Sequence, residues 1–160
     1  MMNKVTEYLT DNEKFIGYED EKGKQGEWRL YENSILKRVV NYKDDFKHGS
    51  FISYYSTGKI EVSTFYKNGK PDGDWTEWYQ NGQKKEYGVY IDDDYKPIHY
   101  WGSGGRQFLI NGEGIKIECF GFNELDIYKH VFVGGELIKE EKISSLEHDR
   151  LMELPPEEPA

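Results

Sequence analysis

A chain of 160 residues has the length of about one domain, and its 16% aromatic content excludes a disordered protein, because rings supply surface that folding buries. The formal net charge of −9 argues against nucleic acid or an anionic membrane as a direct partner, since both bind basic surfaces. With one cysteine and no apolar stretch that resembles a signal peptide or a membrane span, we expect a cytoplasmic protein.

From the first third onward the chain repeats itself at intervals of 23 or 24 residues. A glycine precedes one aromatic residue by two positions and another by five, as Gly26 precedes Trp28 and Tyr31, and the units that start at Gly49 and Gly73 do the same. The spacing is marked most regularly by four tyrosines: Tyr18, Tyr42, Tyr66 and Tyr90.

Each unit contains two segments in which apolar and polar residues alternate, as in Ile60 to Tyr66. A period of two predicts β-strands. Asn-Gly pairs favour the positive φ angles of tight hairpins, and they occur at 68–69, 81–82 and 111–112. The pattern therefore predicts consecutive strands that pair antiparallel.

A unit of this size cannot bury its own face, so neighbouring units must complete the core. The predicted fold is mostly β: a single-layer antiparallel β-meander of hairpin repeats across residues 1–143. The repeats are clear in 18–90 and degenerate in 91–143. Aromatic residues fall on both faces, which is typical of a sheet that has no second layer.

The segment "YIDDDYKPIHYW", residues 90–101, departs from the repeat. Three successive carboxylates replace the expected turn, and Pro97 suits a central strand poorly because it has no N–H to donate. We therefore predict a protruding loop, or a break between two subsets of repeats. Irregular units of repeat proteins are common places for specific contacts.

The carboxyl end predicts one helix, residues 144–154, followed by a flexible tail at 155–160. Ser144 and Glu147 have the spacing of a capping box, and two prolines stop the helix. A helix that covers an open edge strand is favoured over one that binds a partner. Three apolar side chains are expected to dock it: Leu146, Met152 and Leu154.

No local pattern predicts catalysis, a metal or a cofactor. The four histidines lack metal-ligand spacing, and Asp92 to Asp94 lack the pattern of a Ca²⁺ loop. Cys119 has no activating neighbour, so we expect a small buried apolar residue. "GSGGR" at 102–106 has no phosphate-binding motif and predicts a turn. We expect a protein that is not an enzyme.

The segment "YKNGKPDGDWTEWYQNGQKKE", residues 66–86, resembles the bacterial MORN repeat variant, whose motif is close to Y-x-N-G-x-x-x-G-x-W-x-x-Y-Y-x-N-G-x-x-x-x-E. The similarity is close across 18–90, weaker across 100–122, and a trace at 128–143. The first unit departs from the motif with Asn33 and Ser34 in place of the turn glycine. The resemblance implies a repeat meander that binds proteins without catalytic residues.

Bacterial members of this type resemble the YwqK-like antitoxin group or immunity proteins. The leading hypothesis is therefore an antitoxin or immunity protein that binds and neutralises a cognate, cationic toxin. The alternative is a structural scaffold or a self-associating repeat module without a toxin. Candidate contacts are Asp92, Asp93, Asp94, Tyr95, Trp101, Tyr55 and Tyr79; for the last two, packing within the sheet is the favoured alternative.

Overall fold

The computed structural model describes residues 1–120 and 126–153, which form one open antiparallel sheet followed by a helix. The strands of this sheet lie in sequence order, and each pairs with the next. The predicted β-meander is confirmed. Its elements are β1 (Asn3–Tyr8), β2 (Glu13–Asp20), β3 (Gly23–Glu32), β4 (Ile35–Lys43), β5 (Phe46–Tyr54), β6 (Ile60–Lys67), β7 (Lys70–Trp78), β8 (Lys84–Ile91), β9 (Asp94–Trp101), β10 (Gln107–Ile110), β11 (Glu113–Phe120), β12 (Asp126–Val133), β13 (Glu136–Ile143) and α1 (Ser145–Glu153).

Residues 90–101 form a regular hairpin, so the predicted protruding loop is wrong. β8 ends at Ile91, and Asp92 and Asp93 make a tight turn with φ values of 51° and 69°. Asn68 and Gly69 make the same turn one unit earlier, with φ values of 52° and 87°. Aspartate tolerates this left-handed conformation better than most residues, which explains why Asp-Asp can replace Asn-Gly.

Pro97 lies inside β9, and a register shift accommodates it there. It pairs with Gly88 of β8, while the preceding register pair along β8 joins Tyr87 to His99, so β9 holds one extra residue. Proline is tolerated in sheets at such bulges, because the ladder is already interrupted. The strand order therefore continues through Pro97, and a break between two subsets of repeats does not interrupt the sheet here.

A second kind of bulge recurs with the period of the repeat. β4, β6 and β8 each contain one extra residue opposite the preceding strand. Each extra side chain contacts that strand: Lys37 pairs with Glu32 at 3.1 Å, Ser53 donates to Glu61 at 3.1 Å, and Lys85 pairs with Glu77 at 2.7 Å. The bulge residues Lys37, Glu61 and Lys85 are 24 positions apart.

One face of the sheet, which we call the aromatic face, carries a row in which large and small residues alternate from strand to strand. Directly opposed residues share a face, and the registers make this row continuous. Trp28 and Val40 within it are fully buried. In order from β3 to β8, the row is Trp28, Val40, Phe51, Thr64, Trp75 and Gly88.

Two glycines within strands make room for rings on this face. A Cβ at Gly17 would lie 2.2 Å from Cδ2 of Trp28, and a Cβ at Gly88 would lie 2.6 Å from the Tyr95 hydroxyl. Neither distance is compatible with a side chain. These positions therefore depend on glycine for packing and not for backbone conformation.

The carboxyl-terminal strands build a second core even though the repeat is weak there. Its buried members come from β9 to β13, and Leu151 of α1 packs against them. The cluster consists of Tyr100, Leu109, Ile117, Ile127, Phe132 and Ile143. Residues 102–106 form the predicted turn, with Gly102 and Arg106 paired through the backbone.

Helix α1 begins as predicted, because the Glu147 N–H donates to the Ser144 side chain at 3.2 Å. Its docking agrees with the prediction in part: Met152 is half-buried beside Gly102, but Leu146 is 63% exposed, and Leu151 packs against the core as well. The helix also reaches β12, where Lys129 pairs with Glu147 at 3.5 Å. Leu154 lies outside the described residues.

We predict that Gly17→Ala destabilises the fold by ~1–3 kcal/mol, the usual cost of overpacking. The added methyl group displaces the Trp28 ring from its fully buried position. Urea denaturation of both proteins measures the change. The matched control is Gly104→Ala, which would meet no atom within 4 Å and should change stability by less than ~0.5 kcal/mol. Equal stability of the two variants would contradict the packing role of Gly17.

Candidate interaction site on the aromatic face

The three candidate carboxylates lie together at the turn between β8 and β9. All are exposed, and two already have cationic partners within the protein. Asp93 pairs with Lys70, and Asp94 pairs with Lys96 at 2.8 Å. This turn is a solvated part of the repeat scaffold, with Asp92 at its tip.

Tyr55, Tyr79 and Trp101 lie at the opposite ends of the strands, so the structure separates them from the carboxylates. The Tyr55 hydroxyl donates to the backbone oxygen of Trp78 at 2.6 Å, and the Tyr79 hydroxyl donates to that of Trp101 at 2.8 Å. Each bond joins one unit to the next. The two tyrosines therefore stabilise the stack of repeats, which is the packing alternative derived from the sequence.

Tyr95 is half-buried on the aromatic face, and its hydroxyl donates to Glu86 Oε1 at 2.7 Å. Burial, and then the charge of Glu86, raise the pKa of Tyr95 far above its ordinary value. The phenol therefore stays protonated at neutral pH and donates a hydrogen bond to Glu86. Through this hydrogen bond, Tyr95 contacts a group of charged residues that local sequence patterns did not reveal.

These charged residues line a cleft of about 420 Å³, which we call the acidic cleft. Glu77 and Glu86 come from β7 and β8, and Lys85 is the bulge residue between them. Lys116 and Glu118 come from β11. The remaining walls include the rings of Tyr79 and Tyr100 and two residues of α1, His148 and Met152.

Two lysines hold the carboxylates of the acidic cleft together. Glu77 and Glu86 are directly opposed on β7 and β8, an arrangement that repulsion alone would disfavour. Lys85 pairs with Glu77 at 2.7 Å, whereas Lys116 pairs with Glu86 at 2.9 Å and with Glu118 at 2.6 Å. Three carboxylates face two ammonium groups, so the cleft has an excess of one negative charge.

Glu86 is the most deeply placed of these charges, with 3% of its surface exposed. The Tyr95 hydroxyl and the Lys116 ammonium group both bind its Oε1 atom. Burial alone would lower the pKa of Lys116, but the charge of Glu86 and the bonds to Glu118 and Glu86 outweigh it and raise that pKa. The pKa of Lys85 is raised in the same way by Glu77 against burial.

Both lysines therefore remain protonated at neutral pH, and the acidic cleft is suited to binding rather than to amine chemistry. Across residues 1–120 and 126–153, no group of histidine, cysteine and carboxylate side chains could hold a metal ion. Cys119 borders the cleft and is exposed, so the expectation that it is buried is wrong.

Sequence reasoning missed Glu86 and Lys116, although one signal pointed to Glu86. It is the final glutamate of the segment 66–86 that resembles the repeat motif. Lys116 has no such signal, because it lies 30 positions further along the chain and meets Glu86 only through the order of the strands.

Comparisons with known proteins support the presence of the repeat. The family model described as the MORN repeat variant matches residues 47–70 and 71–92, which span β5 to the turn after β8. The chain therefore contains two repeats similar to this variant, and these suggest a repeat-based binding module. No curated protein matches the chain. In the described part of the chain, no helix is long and apolar enough to cross a membrane.

We predict that Tyr79→Phe lowers the free energy of unfolding by ~0.5–1.5 kcal/mol, the net value of one hydrogen bond. The variant removes the bond to the Trp101 carbonyl and leaves the ring in place. Chemical denaturation measures the loss. Tyr18→Phe is the control, because its ring is 46% exposed and should change stability by less than ~0.5 kcal/mol. No difference between the two variants would contradict a structural role for the Tyr79 hydroxyl.

We predict that Lys116→Met destabilises the fold by ~3–5 kcal/mol, because it leaves Glu86 buried without its cation. The double variant Glu86→Gln/Lys116→Met should recover most of this loss, since a neutral pair needs no ion partner. Lys142→Met, at an exposed ion pair with Asp126, should cost less than ~1 kcal/mol. Failure of the double variant to recover stability would refute the coupling of the two charges.

Proposed function

We propose that this protein is a non-enzymatic binding module whose acidic cleft receives a basic side chain of a protein partner. The observation that carries the proposal is the cleft itself: about 420 Å³, with three carboxylates against two ammonium groups. Its volume lies within the usual range of binding clefts, about 300–1,000 Å³.

The carboxylates of the acidic cleft keep acceptor capacity for a partner. Within the described chain, the contacts of Glu86 involve Oε1, and Glu77 pairs with Lys85 also through Oε1. Glu86 is buried, so the partly exposed carboxylates of Glu77 and Glu118 are the ones able to bind an ammonium or guanidinium group. Tyr79 supplies ring surface beside them, and cations bind favourably over such rings, whereas Tyr100 is buried.

The specific form of this proposal is an antitoxin or immunity protein of a bacterium that neutralises a cationic toxin in the cytoplasm. The net charge of −9 supports it, because opposite charge accelerates the encounter with a basic partner. The resemblance to antitoxin-type repeat proteins supports it as well. Catalysis is not part of the proposal, since the raised pKa values of Lys85 and Lys116 disfavour a neutral amine.

A self-associating scaffold is the second candidate, and the open ends of the sheet favour it. β1 and β13 each pair with one strand within the described chain. An unpaired strand edge can add a strand from another molecule. Such a module would join copies of itself edge to edge and leave the acidic cleft empty.

The test is capture of the partner by the wild-type protein and by Glu77→Lys, followed by affinity measurement and co-expression with a neighbouring toxin. Charge reversal in the cleft should weaken binding at least about tenfold and abolish rescue of growth. Glu21→Lys is the matched control, because it makes the same charge change at an exposed turn.

Equal binding by both variants would refute the acidic cleft as the site. A partner that is captured but is not a toxin would refute the antitoxin form alone. If each protein associates only with itself, as measured by sedimentation, the scaffold is the correct function.

A further inference from the structure

Lys47 of β5 stands out among the cations of the aromatic face. Its ammonium group lies 4.8 Å from the ring centre of Tyr66 and 5.6 Å from that of Phe51. Three other lysines of this face, Lys24, Lys85 and Lys116, each form an ion pair with a carboxylate. Among the described residues, no carboxylate lies within ion-pair distance of Lys47.

A second cation, Arg38 of β4, lies near Lys47. Its guanidinium group is 5.8 Å from the ring centre of Phe51, so both cations face the same ring. Burial, and then the positive charge of Arg38, lower the pKa of Lys47. Two like charges therefore border the same cavity, and an anion bound between them would relieve their repulsion.

The carboxylates that border Arg38 on its other side have partners of their own. They are Glu13, Glu32 and Glu61. Glu32 pairs with Lys37 at 3.1 Å, Glu61 accepts a hydrogen bond from Ser53 at 3.1 Å, and Glu13 accepts one from the Thr10 hydroxyl at 3.5 Å. In the described part of the chain, none of them forms an ion pair with Arg38. Arg38 and Lys47 are thus free of ion pairs within the described chain, and of the carboxylates beside Arg38 only Glu32 is paired with another cation.

A small cavity of about 100 Å³ adjoins the two cations. Apart from Arg38 and Lys47, its lining is apolar or aromatic: Leu9, Phe15, Leu30, Val40 and Tyr42. An engineered cavity of about 150 Å³ admits benzene, so this smaller space is suited to an aliphatic side chain. Because two cations border an apolar space, the ligand that fits is one that carries both a negative charge and an apolar group.

We propose that Arg38, Lys47 and this cavity form a binding site for a carboxylate that lies next to an aliphatic side chain, as in an acidic peptide segment of a protein partner. The guanidinium group binds a carboxylate through two parallel hydrogen bonds, and Lys47 binds it as a point charge. The aliphatic group enters the cavity. This carboxylate site is separate from the acidic cleft and stands whether or not the cleft binds a partner.

A peptide fits these observations better than a membrane does. The site combines two cations with a space of about 100 Å³, which is too small for acyl chains. The carboxylate can belong to a chain terminus or to a side chain, and the probes below distinguish these two sources.

The test uses the chain of 160 residues and four probes in NMR titrations of the arginine and lysine side chains. N-acetyl-leucine carries a terminal carboxylate, N-acetyl-glutamyl-leucinamide carries a side-chain carboxylate, and N-acetyl-leucinamide carries neither. Phosphatidylserine vesicles represent the membrane. We expect at least one carboxylate probe to shift the Arg38 and Lys47 signals and to bind at least about tenfold more tightly than N-acetyl-leucinamide.

Variants check the location of the site. Arg38→Gln and Lys47→Met should each weaken the carboxylate probe about tenfold or more, whereas Lys43→Gln, at an exposed position of β4, should leave its binding unchanged. Circular dichroism verifies that each variant is folded. The chemical shifts of the wild-type protein provide a readout that does not depend on the variants.

Three results would overturn the proposal. Equal binding of N-acetyl-leucine, N-acetyl-glutamyl-leucinamide and N-acetyl-leucinamide would mean that the cations do not take part. Binding of the vesicles with no binding of either carboxylate probe would identify a membrane site instead. Carboxylate binding that persists in both Arg38→Gln and Lys47→Met would place the site elsewhere.

Discussion

The structure depends on one packing constraint: over most of its length, the sheet must bury its rings against its own strands. Among the described residues, α1 supplies the one helical cover, and it packs near the carboxyl-terminal core. Large residues therefore alternate with small ones from strand to strand, as Trp28, Val40 and Phe51 do. The rings contact rings of the adjacent strands, as Trp28 contacts Phe15 and Tyr42, and they pack beside the small residues directly opposite them. Neighbouring units stabilise one another, so the loss of one exposes surface on both sides.

The fold was largely predictable because the period of the repeat comes from local chemistry. Strand alternation and turn residues act within a few positions, and the 24-residue spacing repeats them. The prediction failed at residues 90–101, where Asp-Asp was interpreted as an acidic loop. The same pair at Asp44 and Asp45 already forms a tight turn, with φ values of 50° and 67°. A comparison of those two units would have identified the turn.

The acidic cleft was much less predictable, because distant strands form it. β10 spans just Gln107–Ile110, so β11 lies close to β9 beyond its end, and Lys116 reaches Glu86 on β8. No local spacing indicates this contact. The candidate residues were chosen where the repeat looked broken, yet Glu86 occupies a regular repeat position. In a scaffold of this kind, irregular segments can be structural while regular positions carry the distinctive charges.

Along one row of the aromatic face, the charge of the side chains changes from positive to negative. The row runs through Arg38, Ser53, Val62, Glu77 and Glu86, each opposed to the next. Its members Arg38, Val62 and Glu86 occupy the same position in successive units, so one repeat site is cationic, then neutral, then anionic. Strands are about 4.8 Å apart, which separates the two charged ends by roughly 19 Å. That distance exceeds the Debye length of about 8 Å at physiological salt. An extended molecule lying across the strands would therefore contact two independent charged sites of opposite sign. It would pair its own charges with both sites in just one of its two directions.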